Sequence, residues 1–123
     1  MTEVLYQSTV TEIGELVPAF IAEGILVFFG ESAPEELRTF AIIHKVDVAQ
    51  GQVREGDQIS LDGVTFPILA VGSVANENLY NLGHLNLKAN GNTEPDLPGD
   101  VCIPVMELPA VKIGTEIKIT RSN

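Results

Sequence analysis

The reactive side chains of this 123-residue sequence are few: two histidines, one cysteine and a scatter of carboxylates. His44 follows the apolar run Phe40-Ala41-Ile42-Ile43, and His84 lies in Leu82-Gly83-His84-Leu85. A neutral imidazole, whose unperturbed pKa is about 6.5, is one of the few side chains that attack phosphorus near neutral pH. A second imidazole could orient the first or contact a phosphoryl oxygen. Either histidine could instead be structural, with its ring satisfied by hydrogen bonds, so the local sequence leaves both interpretations open.

Other catalytic or ligand-binding signatures are absent from the sequence. It contains no G-x-S-x-G nucleophile motif, no H-E-x-x-H motif, no Walker phosphate loop and no C-x-x-C pair. A metal site formed by His44, His84 and Cys102 would match none of the usual ligand spacings. Cys102 lies between Val101 and Ile103, a context typical of a small buried hydrophobic residue. We therefore expect neither a metal nor a cofactor.

Composition and charge limit the partners. Seven Lys and Arg stand against seventeen Asp and Glu, for a net charge of −10, and the cations are scattered singly. Nucleic-acid binding requires clustered cations, and the same negative charge disfavours anionic membrane surfaces. The longest apolar runs cover residues 24–29 and 66–71, far short of the about 20 residues that a membrane-spanning helix needs. A single cysteine cannot form an internal disulfide, so we expect a cytoplasmic protein. From the charge and the short apolar runs we expect that it binds no nucleic acid and does not insert into the membrane.

The elements that must position the histidines are predicted to be mostly strands. Eleven glycines and seven prolines cut the chain into short pieces, with strand patterns over residues 4–13, 25–29, 40–48, 58–61, 64–66, 84–88, 101–106 and 115–120. Alternation places Phe40, Ile42, His44 and Val46 on one face of their strand. Short helical segments are expected over residues 15–23, from residue 32 and over residues 77–82. The sequence predicts an all-β fold, a small closed or partly open β-barrel with one or two short helices, as a single domain over residues 1–123.

One hairpin is predicted with particular clarity. Asp62-Gly63 separates two alternating runs, and a type I′ turn needs positive φ at both central residues, which this pair tolerates. Pro67 cannot donate a ladder hydrogen bond, so its strand is expected at a sheet edge or at a bulge.

Several stretches together carry a family resemblance. They are Tyr6 to Gly14, Ala33 to Leu37 leading into Ile43-His44, Gly56 to Leu61, Phe66 to Ala75, and Leu82 to Leu87. In order and spacing they resemble the glucitol/sorbitol-specific IIA component of the bacterial phosphotransferase system. The run from Ala70 to His84 is the most specific part, and the C-terminal third is similar only loosely.

The resemblance implies a small cytoplasmic β-barrel protein that carries a phosphoryl group. Such a protein takes the group from the phosphohistidine of HPr and passes it to a cysteine on the IIB domain of the IIB/IIC glucitol permease, which couples uptake of a sugar alcohol to its phosphorylation. His44 matches the family's phosphorylated position, with the outer ring nitrogen as acceptor. Some relatives carry another histidine where this sequence has Val46.

Further site residues are hypotheses that build on this resemblance. We expect the backbone around Gly72-Ser73 and the His84 ring to contact the phosphoryl oxygens, because loop amides bind anions well. We expect docking of HPr and the IIB domain on an apolar patch formed by Phe40, Ile42 and Val46. Open strand edges also make a homodimer a candidate assembly.

The alternative is a non-catalytic β-barrel module that binds a ligand or a partner protein, with both histidines structural. Exposure of His44 is expected to separate the two hypotheses, because a carrier histidine must reach two partners. Its replacement by Ala should leave folding largely intact in a carrier, whereas loss of a buried hydrogen-bonding partner should destabilise the module by about 1–3 kcal/mol.

Overall fold

The computed structural model describes residues 2–122 and contains nine strands and three short helices in that part of the chain. The strands are β1 (Thr2–Ile13), β2 (Ile25–Gly30), β3 (Ile42–Ala49), β4 (Gln58–Leu61), β5 (Val64–Pro67), β6 (Ala70–Val71), β7 (Leu85–Lys88), β8 (Asp100–Cys102) and β9 (Glu116–Ser122). The helices are α1 (Val17–Ala22), α2 (Glu35–Arg38) and α3 (Ala75–Leu82).

All nine strands belong to one curled sheet in the order β5-β4-β9-β1-β3-β2-β7-β8-β6. Only the β2–β3 and β7–β8 pairs are parallel, and the other pairs are antiparallel. The end strands β5 and β6 do not pair with each other, so the sheet forms a half-barrel. The predicted all-β class is confirmed in its partly open form. The described chain has three helices instead of one or two, because residues 75–82 form two helical turns.

The hairpin between β4 and β5 has the predicted turn. Asp62 has φ +50° and Gly63 has φ +85°, the positive pair that a type I′ turn requires. Strand β5 ends at Pro67 and lies at one end of the sheet. No described strand pairs with the outer side of β5, so the N–H that Pro67 lacks is not needed for a ladder hydrogen bond there.

Strand β1 connects the two halves of the sheet, because it pairs with β3 on one side and β9 on the other. Its alternation buries Tyr6, Ser8 and Val10 on one face. The β1–β3 register shifts between Gln7 and Ser8. The extra residue is Asp47 on β3, so this bulge lies opposite Ser8 and leaves the alternation of β1 intact.

Strand β3 begins at Ile42, two residues later than the sequence pattern predicts. The end of α2 extends into Thr39, whose backbone is still helical at φ −61°, and the Ala41 carbonyl accepts a hydrogen bond from Gly14 N–H instead of a ladder bond. Residues 42–44 are then buried one after another, while residues 45–47 are exposed. Parallel β2 covers β3 only as far as the Gly30–His44 pair. The burial of His44 therefore depends on where β2 ends.

The core is apolar with a few buried polar groups. Among the described residues, the buried polar or charged side chains are Ser8, His44, Asp57, Asp100 and Thr115. No helix within residues 2–122 has the length and hydropathy to cross a bilayer.

Candidate functional site

His44 lies deep in the sheet, with 1% of its surface exposed. Its Nδ1 is 2.7 Å from Ser8 Oγ on β1, and its Nε2 is 2.7 Å from the carbonyl oxygen of Gly83, just after α3. The rings of Phe28 and Tyr6 pack beside it, at centroid distances of 5.5 and 6.0 Å. Both ring nitrogens therefore have a partner, and the ring orientation is fixed from two sides.

The partners of His44 define its tautomer. A carbonyl oxygen can only accept a hydrogen bond, so Nε2 must carry the proton that it donates to Gly83. Nδ1 then carries the lone pair and accepts a hydrogen bond from the Ser8 hydroxyl. The ring nitrogen without a proton is therefore Nδ1, which faces the Ser8 hydroxyl on β1.

The protonation state of His44 is set by its burial. Desolvation of the charged ring lowers the pKa of His44 below its ordinary value of 6.5, and the hydrogen bond to the Gly83 carbonyl opposes this only in part. No charged group contributes to the shift of this pKa. His44 is therefore a neutral imidazole at neutral pH.

This lowered pKa predicts that acid weakens the fold. The unfolded chain binds a proton at His44 near pH 6.5, whereas the folded protein binds it only at lower pH. The contribution of His44 to stability is therefore fully present above pH 6.5, falls as the pH drops below it, and levels off below the folded pKa. Urea unfolding between pH 8 and 5 should show the free energy of unfolding fall more steeply with acid in the wild type than in His44→Gln. Parallel pH profiles for the two proteins would contradict a buried neutral His44.

His84 lies next to the Gly83 carbonyl and is half-buried. Its Nδ1 donates a hydrogen bond to the Phe28 carbonyl oxygen at 3.2 Å, and its ring stacks on Phe29 at 4.1 Å with an interplanar angle of 11°. Its Nε2 makes no hydrogen bond with residues 2–122. Gly83 is thus next to two imidazoles: the His44 ring donates a hydrogen bond to its carbonyl oxygen, and His84 is the next residue in the chain.

The position of Gly83 requires a glycine. It caps α3 with a left-handed backbone at φ +64°, and its N–H donates to the Leu79 carbonyl. A Cβ atom at this position would lie 2.7 Å from the Gly30 nitrogen and 3.3 Å from His44 Nε2. The end of α3 therefore packs directly onto the end of β2 and onto the His44 ring.

The chain is similar to known proteins along most of its length. A family model for the PTS system glucitol/sorbitol-specific IIA component matches residues 5–118. The chain belongs to this family. Glucitol/sorbitol-specific EIIA components of Shigella flexneri and Escherichia coli K12 are each 39% identical to it over 98 residues, which is 80% of this chain and 80% of each relative. The crystal structure of a PTS system IIA component from Enterococcus faecalis V583 superposes with a TM-score of 0.78 at 33% identity, covering 90% of this chain and 96% of that one.

Membership establishes the role of this IIA component at the level of its family: it is a phosphotransferase-system protein that takes part in phosphoryl transfer during glucitol/sorbitol transport. The expectation that its candidate histidine is exposed is wrong, however, because His44 is buried beneath the Gly83 carbonyl. Burial therefore does not separate the carrier hypothesis from the structural one, and His44→Ala should also destabilise the fold.

Gly72 and Ser73 are not brought to His44 in this IIA component. The Gly72 N–H donates to the Asp100 carbonyl, and a Cβ atom there would lie 2.1 Å from the Pro98 oxygen. These residues precede α3, whereas Gly83 follows it, and eight helical residues span about 12 Å. The glycine at this position allows close backbone packing, and its amide is already in use.

The three apolar residues expected around His44 have different environments in this IIA component. Ile42 is in the core, and Phe40 packs edge-on against Phe20 at 6.0 Å. Val46 is 38% exposed. Sequence reasoning missed Leu82, which is 52% exposed and directly precedes Gly83. Only the folded structure shows that this leucine at the end of α3 is exposed next to the glycine that contacts His44.

Sequence reasoning also missed the role of Ser8. The alternation of β1 places Ser8 on the same buried face as Tyr6 and Val10. A serine among apolar residues on a core-facing side is the signal that could have singled it out, because a buried hydroxyl needs a partner.

No group of three His, Cys, Asp or Glu residues in the described part of this IIA component lies close enough to hold a metal ion. Cys102 is buried on β8, and burial raises the pKa of its thiol. The thiol therefore stays protonated at neutral pH and is a poor nucleophile or ligand.

Proposed function

We propose that His44 is the phosphoryl-accepting residue of this IIA component and that Nε2 forms the bond to phosphorus. The phosphoryl group comes from phospho-HPr and passes to the IIB domain of a glucitol/sorbitol permease in the cytoplasm. The observation that carries this proposal is a neutral imidazole, fixed at both ring nitrogens, at the position that matches the family's phosphorylated histidine.

The chemistry fits the surroundings of His44. A histidine attacks phosphorus only with a nitrogen lone pair, and the lowered pKa keeps the ring neutral, so that one of its two nitrogens carries such a pair. Transfer between histidines depends on positioning and on the local electrostatics. The groups that contact the His44 ring are a hydroxyl, a backbone carbonyl and two aromatic rings, and none of them carries a negative charge that would repel an incoming phosphoryl group.

His84 is the second candidate residue at this site. Its Nδ1–H is held by the Phe28 carbonyl, which directs Nε2 away from that contact. An imidazole at this place can orient the reacting ring or contact a phosphoryl oxygen. We assign His84 this supporting role, with the covalent bond at His44.

Docking involves the exposed apolar residues that flank the site. Val46 and Leu82 are the exposed ones, and Phe40, which packs against Phe20, is partly buried. A small apolar contact of this kind suits transient partners, which need complementarity more than area. Strands from both ends of the described chain share one sheet, which supports a single domain over residues 1–123. The open strand edges keep a homodimer as a further candidate.

The test is a phosphorylation assay with mass mapping. We expect incubation with phosphoenolpyruvate, Enzyme I and HPr to add one phosphoryl group to the wild-type protein, acid-labile and base-stable as expected for phosphohistidine. The modified peptide should contain His44, and the addition should require HPr. A folded protein that stays unmodified while a control carrier is labelled would contradict the proposal and favour the non-catalytic module.

A further inference from the structure

The resting geometry of His44 blocks the reaction proposed for it. Nε2 carries a proton, donates it to the Gly83 carbonyl at 2.7 Å and is shielded from solvent. A nitrogen that carries a proton has no lone pair in the ring plane to attack phosphorus. The hydrogen-bond partners of His44 therefore assign it an inactive tautomer, and the reactive one must carry its proton on Nδ1.

We propose that Gly83 and Ser8 form a two-position proton switch around His44. The Gly83 carbonyl holds the resting tautomer, and Ser8 is the positioning residue that accepts a hydrogen bond from Nδ1–H and holds the reactive one. This inference rests on the proposed function of His44.

The two partners differ in what they can do. A hydroxyl both donates and accepts, so Ser8 Oγ can reverse its bond to Nδ1 by rotating its hydrogen, with no movement of the chain. A carbonyl only accepts, so the reactive tautomer would place two lone pairs 2.7 Å apart at Nε2. Activation therefore requires the Gly83 peptide to move, while Ser8 stays in place.

The segment that must move is the one a partner can reach. Leu82 is 52% exposed and His84 is half-buried, on either side of the buried Gly83. The Ser8 hydroxyl, by contrast, is fully buried on the longest strand, between β3 and β9. A partner that contacts Leu82 can displace the carbonyl, expose Nε2 and leave the Ser8 contact intact.

Phosphoryl transfer to His44 Nε2 can then follow. As the Gly83 carbonyl leaves, the water that enters in its place takes the proton from Nε2 and supplies the proton that Nδ1 binds, so the ring stays neutral. The Nε2 lone pair forms the new N–P bond while the N–P bond of the donor phosphohistidine breaks and leaves its electron pair on the donor nitrogen. The Nδ1 proton stays in place, donated to Ser8 Oγ, and this bond strengthens as the ring becomes cationic.

The first test reads the tautomer directly. We expect the ¹⁵N imidazole spectrum of the unphosphorylated wild-type protein to show His44 protonated at Nε2 and not at Nδ1. A resting protein protonated at Nδ1 would overturn the inference, whether or not the protein accepts a phosphoryl group.

The second test measures transfer from phospho-HPr in Ser8→Ala, with Ser60→Ala as the matched control on β4. Loss of a hydrogen bond to a developing cation should slow transfer at saturating HPr by about 10- to 100-fold. The HPr concentration for half-maximal rate should not change, because Ser8 is buried and cannot contact HPr. Ser8→Thr, which keeps the hydroxyl, should restore most of the rate, and Ser60→Ala should behave as wild type.

The outcomes separate the two proposals. Wild-type protein that acquires no label at His44 would overturn the proposed function together with this inference. Wild-type protein labelled at His44, with Ser8→Ala equally fast, would overturn only the role of Ser8. If Ser8→Ala does not fold, Ser8→Cys replaces it with the same expectation, because sulfur keeps the volume and accepts hydrogen bonds weakly.

Discussion

His44→Gln should accept phosphoryl groups from phospho-HPr at less than about one thousandth of the wild-type rate, because the covalent intermediate has no nucleophile without the imidazole. The amide can bond one of the two groups that hold His44 but not both, since Ser8 Oγ and the Gly83 carbonyl lie on opposite sides of the ring. The free energy of unfolding should therefore fall by about 1–3 kcal/mol. Quench-flow labelling and urea unfolding measure the two effects separately.

His84→Gln is the matched control for this variant. It removes the other histidine of the sequence, which lies close to the same glycine. We expect the label in His84→Gln to remain on His44, at a lower rate because the supporting contact of His84 is lost. Wild-type labelling of folded His44→Gln, or label found on His84, would show that the covalent site is elsewhere.

Gly83→Ala should destabilise the protein by about 2–4 kcal/mol, the sum of two independent costs. The left-handed backbone at φ +64° disfavours a side chain, and the new Cβ would lie 2.7 Å from the Gly30 nitrogen and 2.9 Å from its Cα. Backbone atoms at that distance can be relieved only by moving α3 away from β2. Thermal and urea unfolding of the variant measure the loss.

Gly63→Ala isolates the first of these costs. Gly63 has a similar positive φ of +85°, but nothing lies within 4 Å of the position that its new Cβ atom would take. We expect this variant to lose only about 1 kcal/mol. If both variants lost the same free energy of unfolding, Gly83 would not pack tightly against Gly30. The hydrogen bond between the Gly83 carbonyl and His44 would then be in doubt as well.

Several local features could be predicted from the sequence because each depends on neighbouring residues. The family resemblance could be predicted because its stretches keep their order and spacing along the chain. The Asp62-Gly63 turn follows from the φ preferences of two adjacent residues. The alternation of β1, which places Ser8 on the apolar face, follows from the two-residue period of a strand. His44 is one of only two histidines, so only two residues were candidates for a histidine nucleophile.

What the sequence alone determined is therefore the candidate histidine, the mostly β architecture and the family. Only the tertiary structure decided that His44 is buried and which groups hold it, because Ser8 is 36 residues before it and Gly83 is 39 residues after it. The same holds for Gly72, which we expected to contact the phosphoryl group and which the fold places before α3, at the end opposite Gly83. Contacts across such separations depend on strand pairing and on where β2 and α3 end, and no local period or turn preference encodes those positions.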